Sequence, residues 1–327
     1  MKTSSSIKVS IVCITYNQVD YIRDALDNFL NQKTNFDYEI LIHDDASTDG
    51  TADVIREYQN QYPNIIIAVL QKENQYSKGV KVATAYLYPK VRGKYVAFCE
   101  GDDYWTDPKK LQKQFDYMEQ HEDCAMCMHN GLNVSKDKNT VFYSKPLSDA
   151  PTKYYIEDAI KGLGIKTVTN SYFYRSSILR ENPPEFVKIA PTGDYARVIV
   201  NALHGYIYYS PETMSAHRCA AKNSLTEQWG KNPQHWYDYI DKQMVMLDSL
   251  NKETDYAYDS IIKQEKINQK FQIYFNLRDK ERLSQEPYNH MLKKLPAKEK
   301  IEYYAPSVFQ QLRKVVHLYR KLSGKYC

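Results

Sequence analysis

The sequence predicts an α/β fold built on a mostly parallel sheet with right-handed crossovers. Strand-like and helix-like segments alternate four times within about the first hundred residues. The strand-like runs are dominated by β-branched and other apolar residues, as buried strands require. Two of them end in paired carboxylates, Asp44-Asp45 and Asp102-Asp103. In open α/β sheets, ligands bind at the carboxyl ends of the strands.

Residues 8–14 (Lys-Val-Ser-Ile-Val-Cys-Ile) read as the first strand. Thr15-Tyr16-Asn17 follows, with Asn17 the expected cap of a helix and Asp20 in its first turn. Val19, Ile22, Leu26, Phe29 and Leu30 then recur at helical spacing. A second strand, 38–42, leads through His43-Asp44-Asp45 to a second helix carrying Val54, Ile55 and Tyr58, with Ser47 or Thr48 as cap. A third strand at 65–70, a helix at 80–88 and a fourth strand at 94–99 complete this half. Asp107-Pro108 opens a helix running to about His121, since proline suits a first helical turn. Strand 124–129, a hairpin within 131–153, helix 155–161 and strand 167–174 ending at Arg175 come next. Gly193-Asp194 opens a helix with Ala196, Val198, Ile199 and Leu203 facing inward, and strand 206–209 leads to His217-Arg218.

Charge is nearly balanced, 44 Lys and Arg against 40 Asp and Glu, so nothing argues for nucleic acid as a partner. No run approaches the roughly 18 apolar residues of a membrane span. Met1 to Ser6 carry no apolar signal core, so the expected location is cytoplasmic. Six cysteines among mostly apolar neighbours fit a reducing compartment. Cys124 and Cys127, three apart on one strand, are expected to point to opposite faces and to share neither a metal nor a disulfide. There are 30 tyrosines against 10 phenylalanines, so many hydroxyls must remain wet while their rings pack.

Glu100-Gly101-Asp102-Asp103 is the most informative stretch. Hard carboxylate oxygens at a strand end suit Mg²⁺ or Mn²⁺, whose remaining ligands come from phosphates and water. Neither GxGxxG after the first strand nor GxxxxGK[ST] occurs, so a dinucleotide fingerprint and a P-loop are excluded. Thr15-Tyr16-Asn17 and Asp44-Asp45 fall on the same sheet edge and offer a ring and carboxylate acceptors to a nucleobase. Tyr104 and Trp105, just beyond, either wall an acceptor site or belong to the core.

In order and at compatible spacing, Val9 to Asn17, Ile40 to Thr51, Tyr95 to Asp103 and Gly193-Asp194 resemble family 2 of the nucleotide-sugar-dependent glycosyltransferases, of the bacterial cell-surface polysaccharide type. The resemblance covers roughly residues 7–225. It implies the GT-A fold of the nucleotide-diphospho-sugar transferases. It also implies an inverting, metal-dependent transfer of a sugar, UDP-linked by expectation, to a glycan or lipid-linked saccharide. Thr15, Tyr16, Asn17 and Asp45 would line the nucleoside pocket, with Asp44 adjacent. Glu100 stands at the first position of the DxD motif; Asp102 and Asp103 would share ribose and metal duties with Mn²⁺ or Mg²⁺. Asp194 would be the catalytic base. Where relatives carry Tyr-Arg-x-His, this chain has His217-Arg218-Cys219-Ala220. Either His217 serves from a shifted position, or Arg218, the favoured choice, neutralises the diphosphate with a nearby Lys222.

Residues 226–327 read as a helical region following a domain of residues 1–225, Trp229, Trp236 and Tyr239 contributing to its apolar face. Its last segment, 305–327, carries Arg313, Lys314, Arg320, Lys321 and Lys325 beside an apolar stripe of Val308, Leu312, Val315, Tyr319 and Leu322. That composition predicts peripheral contact with an anionic membrane, at the inner face of the cell membrane. Two other readings are a catalytically silent nucleotide-sugar-binding protein and a sugar nucleotidyltransferase. The second would need a Gly-rich basic loop after the first strand, which Thr15-Tyr16-Asn17-Gln18 is not.

Overall fold

The computed structural model describes residues 6–135, 137–138, 141–142, 146–180, 183–219 and 232–305. Its centre is a mixed ten-stranded sheet. The path runs β3(Ile66–Leu70)-β2(Tyr38–Asp44)-β1(Val9–Thr15)-β4(Tyr95–Glu100)-β9(Phe173–Arg175)-β6(Cys124–Val134)-β10(Tyr206–Arg218)-β5(Tyr104–Trp105). β7(Val141–Phe142) pairs with β6, and β8(Thr152–Tyr154) with β10. The expected parallel arrangement holds for β3, β2, β1 and β4. Beyond β4 the sheet is mixed, because three-residue β9 inserts antiparallel between β4 and β6.

Residues of β1 alternate between two cores, as a strand covered on both faces must. Val9, Ile11 and Cys13 pack with α1(Ile22–Leu30), α2(Thr51–Gln61) and α3(Lys110–Gln120). Val12 faces the other core, which holds residues of α4(Ile156–Ile160), α6(Glu185–Ile189), α7(Gly193–Ala202) and α8(Gln234–Glu253). A short α5(Ser177–Arg180) follows β9. Fully burying one Leu, Ile or Phe contributes roughly 1.5–3 kcal/mol, so these two layers are what fix the sheet in place.

The helical region after residue 232 is not insulated from the sheet. Ile240, Met244, Met246, Leu247 and Leu250 of α8 join the main core, as does Ile262 of α9(Asp259–Leu277). Farther along, Phe271, Tyr274, Leu283, Leu292 and Tyr303 form a small core of their own. Trp229, Ala220, Lys222 and the basic segment from residue 306 onward lie outside the described residues. No helix among the described residues is long and apolar enough to cross a membrane.

Several local expectations are corrected. Asn17 does not cap a helix. It sits in the left-handed region (φ 52°), which Asn tolerates, and α1 begins five residues later at Ile22. Asp24, not Asp20, therefore occupies the first turn. Neither Ser47 nor Thr48 caps α2; Asp49 Oδ1 accepts from the Thr51 N–H (3.0 Å), with Gly50 at φ 101° just before the helix. Residues 83–87 form a π-turn and 88–90 a 3₁₀ turn containing Pro89, in place of a regular helix. Segment 167–174 divides into a 3₁₀ turn (Thr169–Ser171) and β9, because the Asn170 side chain is drawn into a buried polar cluster. β10 runs on to Arg218 past Pro211, which is accommodated where the register shifts between Ser210 and Thr213.

The cysteine pair is corrected too. Cys124 and Cys127 have their Sγ atoms 3.9 Å apart in one core. The pairing with β10 skips Ala125, Tyr206 facing Cys124 and Ile207 facing Met126. That bulge adds one residue and returns Cys127 to the face of Cys124. Both are free thiols.

Candidate active site

Parallel register brings the strand ends together. Ile14 lies opposite Glu100, and Thr15 opposite Asp44, so the ends of β1, β2 and β4 share one sheet edge. Gly101 permits this approach. A Cβ there would stand 2.7 Å from Gln18 Oε1 and 2.8 Å from Thr15 Cβ, closer than side chains tolerate. Thr15 is buried and its hydroxyl donates to Gln18 Oε1 (2.7 Å). Tyr16 is exposed, its ring free to stack.

Asn17 joins the two edge loops. Its N–H donates to Ser47 Oγ (2.8 Å), and its Oδ1 accepts from the Thr48 N–H (2.8 Å). Asp44 accepts from Ser47 Oγ (2.5 Å) and the Ser47 N–H (3.0 Å). Asp45 accepts from the Gln75 and Tyr76 N–H groups at 2.8 and 3.0 Å. Both carboxylates are buried and brace the loops of this edge.

Asp103 is fully buried and accepts three hydrogen bonds: Arg218 N–H to Oδ1 (2.8 Å), Asn170 Nδ2 to Oδ2 (2.9 Å) and His217 Nδ1 to Oδ2 (3.2 Å). It fastens the acidic turn to the end of β10. Asp102 has no side-chain partner among the described residues, and Glu100 Oε2 accepts from Thr169 Oγ1 (3.1 Å). Burial first, then the charges of Asp194, Asp102 and Asp103, push the Glu100 carboxyl up to about 8. Burial and the Asp103 charge push Asp102 up to about 7. Burial works against a charged His217 ring, but its bond to Asp103 and the charges of Asp103, Glu100 and Asp102 raise it to about 9.

Successive residues of a strand point to opposite faces, and this separates His217 from Arg218. The His217 side chain is 42% exposed and turns toward the carboxylates. The Arg218 side chain is 1% exposed, and its Nη2 pairs with Asp24 Oδ2 at 2.7 Å. Its Nη1 donates to the Asp102 carbonyl, and the guanidinium stacks on Tyr21 (4.6 Å) and Tyr104 (5.2 Å). Two of its three guanidinium nitrogens are thus engaged within the fold, while Nε has no hydrogen-bond partner among the described residues. Trp105 belongs to the core, 1% exposed, its indole N–H donating to the Asn170 carbonyl (3.0 Å).

Asp194 stands in the first turn of α7 with its side chain 41% exposed. Burial raises its carboxyl above the ordinary range, opposed by Arg197, His217 and Lys81 in that order. Its electrostatic effect on Glu100 sets it beside the acidic cluster. Sequence reasoning missed Asn170, Thr169, Asp24 and Arg197. Each is a common polar residue whose importance lies in a partner between 3 and 194 positions away.

The donor set suits a hard divalent cation. Oxygen ligands predominate, and burial together with the mutual repulsion of the carboxylates raises Glu100 and Asp102, a penalty that a bound cation would relieve. Among the described residues, no three His, Cys, Asp or Glu side chains converge as a ready cage. A cation that draws most of its coordination from phosphate and water needs only one or two such ligands.

A strand-edge carboxylate cluster thus lies within electrostatic reach of a further carboxylate in the first turn of α7. Residues 10–181, more than half of the chain, match the family model described as Glycosyl transferase family 2, and the chain belongs to that family. An uncharacterized protein of Mycobacterium tuberculosis is 37% identical over 212 residues, 64% of this chain and 58% of the relative, so the chain spans less than two thirds of it. The poly(ribitol-phosphate) β-N-acetylglucosaminyltransferase TarS of Staphylococcus aureus is 24% identical over 279 residues, 81% of this chain and 44% of that protein. A TarS fragment in complex with UDP-GlcNAc shares the fold, with a TM-score of 0.60 at 17% identity over 91% of this chain and 78% of that one. A mannosyltransferase from Pyrobaculum calidifontis, in complex with GDP-Man and Mn²⁺, has a TM-score of 0.51 at 13% identity over 89% and 86% of the two chains.

Proposed function

We propose that this chain is an inverting, metal-dependent glycosyltransferase in surface polysaccharide synthesis. It moves one sugar from a nucleotide-sugar, with UDP as carrier, to a hydroxyl of a glycan or lipid-linked saccharide. The observation that carries the reading is the partly exposed Asp194 carboxylate within electrostatic reach of Glu100, on which Asp102 and Asp103 also act, at the sheet edge. The UDP-GlcNAc complex of TarS and the Mn²⁺ complex of the mannosyltransferase support donor and cation.

In this reading Tyr16 stacks on the base, while Thr15, Asn17, Asp44 and Asp45 shape the nucleoside pocket. Asp102 and Asp103 would hold Mn²⁺ or Mg²⁺, Asp102 with the freer carboxylate and Glu100 nearby. The cation would stabilise negative charge on the departing diphosphate. His217 supplies a second positive charge there. Asp194 accepts the proton of the acceptor hydroxyl as its oxygen bonds to the anomeric carbon and the bond to the diphosphate oxygen breaks. A base opposite the leaving group gives one displacement with inversion, worth about 10²–10⁴-fold for the base alone.

The test is a donor screen with Mn²⁺ or Mg²⁺, following free nucleotide released from UDP-, GDP-, CMP- and dTDP-sugars. Asp102→Asn and Asp194→Asn run beside the wild type. Metal-dependent turnover of one donor, lost in both variants, is the expected result. Stabilisation by a donor without turnover, even with lipid-linked acceptor present, would favour the silent binding protein. Residues 1–225 are proposed as the transferase domain and 226–327 as a helical extension. The extension's basic segment 305–327 would rest on the inner face of the membrane. Equal recovery of the full chain and a chain ending at 304 on anionic vesicles would refute that contact.

A further inference from the structure

We propose that Arg197 is the positioning residue that aims Asp194 and keeps it ionised; the proposal rests on the reading of Asp194 as base. Arg197 lies three residues after Asp194, on the same face of α7. It is 7% exposed, and its guanidinium carbon sits 4.1 Å from the ring centroid of Phe98 in β4. Nη1 lies 3.5 Å from Asp194 Oδ1 and has no hydrogen-bond partner.

A buried guanidinium with an unmet N–H is costly, and a fold that keeps one gains where the contact is completed. Here a shift of about 0.6–0.8 Å would close the gap from 3.5 Å to a charge-assisted bond, typically ~2.7–2.9 Å long. Gly193 leaves room for that movement: a Cβ there would stand 3.1 Å from Nη2. The Phe98 ring holds the fork from below, so the side chain approaches the carboxylate from a fixed direction. The paired hydroxyls of Tyr88 and Tyr174, 2.8 Å apart, adjoin the guanidinium and fix its environment further.

Other groups face Asp194 as well. Lys81, its ammonium bonded to the Ala190 carbonyl, and His217 of β10 add positive charge. Glu100 of β4 adds negative charge, and Tyr172, just before β9, and Tyr239, on α8, contribute hydroxyls. Arg197 differs from Lys81 and His217 in being on the same helix as the base and almost fully enclosed. As a fork of fixed geometry it can orient one carboxylate oxygen, leaving the other toward the acceptor.

The experiment compares Arg197→Gln, Arg197→Lys and Asp194→Asn in the full, metal-supplied chain, using the donor found by the screen. Arg197→Gln is expected to lower kcat about tenfold or more with donor KM within about twofold, as loss of a transition-state interaction requires. The acid limb of its kcat profile should move up by about one pH unit, since removing a nearby cation raises a carboxyl. Arg197→Lys keeps the charge but not the fork, so kcat falls about fivefold or more with a smaller displacement of the limb. A purely structural role would lower the melting temperature and leave the limb in place. Wild-type kcat and acid limb in Arg197→Gln, or in Arg197→Lys should the former not fold, would overturn the proposal. Full transfer by Asp194→Asn would instead overturn the base assignment on which it rests.

Discussion

Asn170→Ala should weaken both the fold and the site, and its effect can be worked from contacts. The Asn170 side chain is fully buried. It donates to Asp103 Oδ2 (2.9 Å) and to the Ala216 carbonyl (3.0 Å), and accepts from Ser215 Oγ (2.5 Å). Alanine removes all three bonds at once. Ser215 Oγ loses its acceptor in a dry region at about 1 kcal/mol, the low end for an orphaned neutral group, while Ala216 stays in the ladder between β5 and β6. Asp103 loses one of three donors to a buried charge, about 2 kcal/mol more. The expected loss is roughly 3 kcal/mol, on the order of 4 °C in melting temperature for a chain of this size. Because Asp103 ties the acidic turn to β10, metal-dependent donor binding should weaken along with the fold. Urea unfolding and donor titration on the same preparation measure both. A variant melting within 2 °C of the wild type would refute the argument, since the polar cluster could then lose its centre at no cost.

His217 and Arg218 should separate cleanly. Arg218→Met leaves Asp24 to Lys138 (2.6 Å) and also removes the bond to the Asp102 carbonyl, so it should cost about 3 kcal/mol of stability, one charged and one neutral hydrogen bond. His217→Ala should cost only about 1 kcal/mol, because the ring is 42% exposed and gives Asp103 one long bond (3.2 Å), while turnover falls because it faces the carboxylates; equal stability losses in the two would contradict the assigned roles. Lys110 is fully buried, 4.1 Å over the Trp105 ring and bonded to Gln114 Oε1 (2.8 Å). Burial pushes its ammonium from 10.5 down to about 7. Below pH 7 both folded and unfolded chains carry the proton, and the penalty, roughly 5 kcal/mol, is fully present. Between about pH 7 and 10.5 the unfolded chain holds more protons, so stability rises with pH and the penalty fades. Lys110→Met forfeits the ring contact, about 2 kcal/mol, and the Gln114 bond, about 1 kcal/mol. It should therefore gain about 2 kcal/mol at neutral pH and lose that advantage toward pH 10. Unfolding curves at pH 7 and pH 10 decide it; a gain independent of pH would show that the charge is not the cause.

The first four strands were legible because each is covered on both faces, so its apolar character is written locally along the chain. The acidic turn after β4 was legible for a related reason: carboxylates at a strand end have nowhere to go but the sheet edge. Asp194 was legible through the family resemblance of Gly193-Asp194; by pattern alone it reads as a cap on the helix that continues through Ala196, Val198 and Ile199. Helix starts near Asn17 and Ser47 misled, because the same short polar side chains that cap helices also bridge loops, and local sequence does not say which donor they will meet. The β10 extension misled for a similar reason: Pro211 reads as a stop, yet a register shift carries the strand past it.

The sequence by itself determined the alternating α/β order, the sheet-edge carboxylates and the family, because these depend on periodicity and short ordered motifs. Tertiary structure alone decided which charges are spent inside the fold and which face outward. Strand alternation turned Arg218 to Asp24 and His217 to the carboxylates, and a one-residue bulge set Cys124 against Cys127. Packing brought Arg197 within 3.5 Å of Asp194 over the Phe98 ring. Hydrogen bonds and charge pairs act over a few ångströms in space, whatever the separation along the chain, so their partners are fixed when the elements pack.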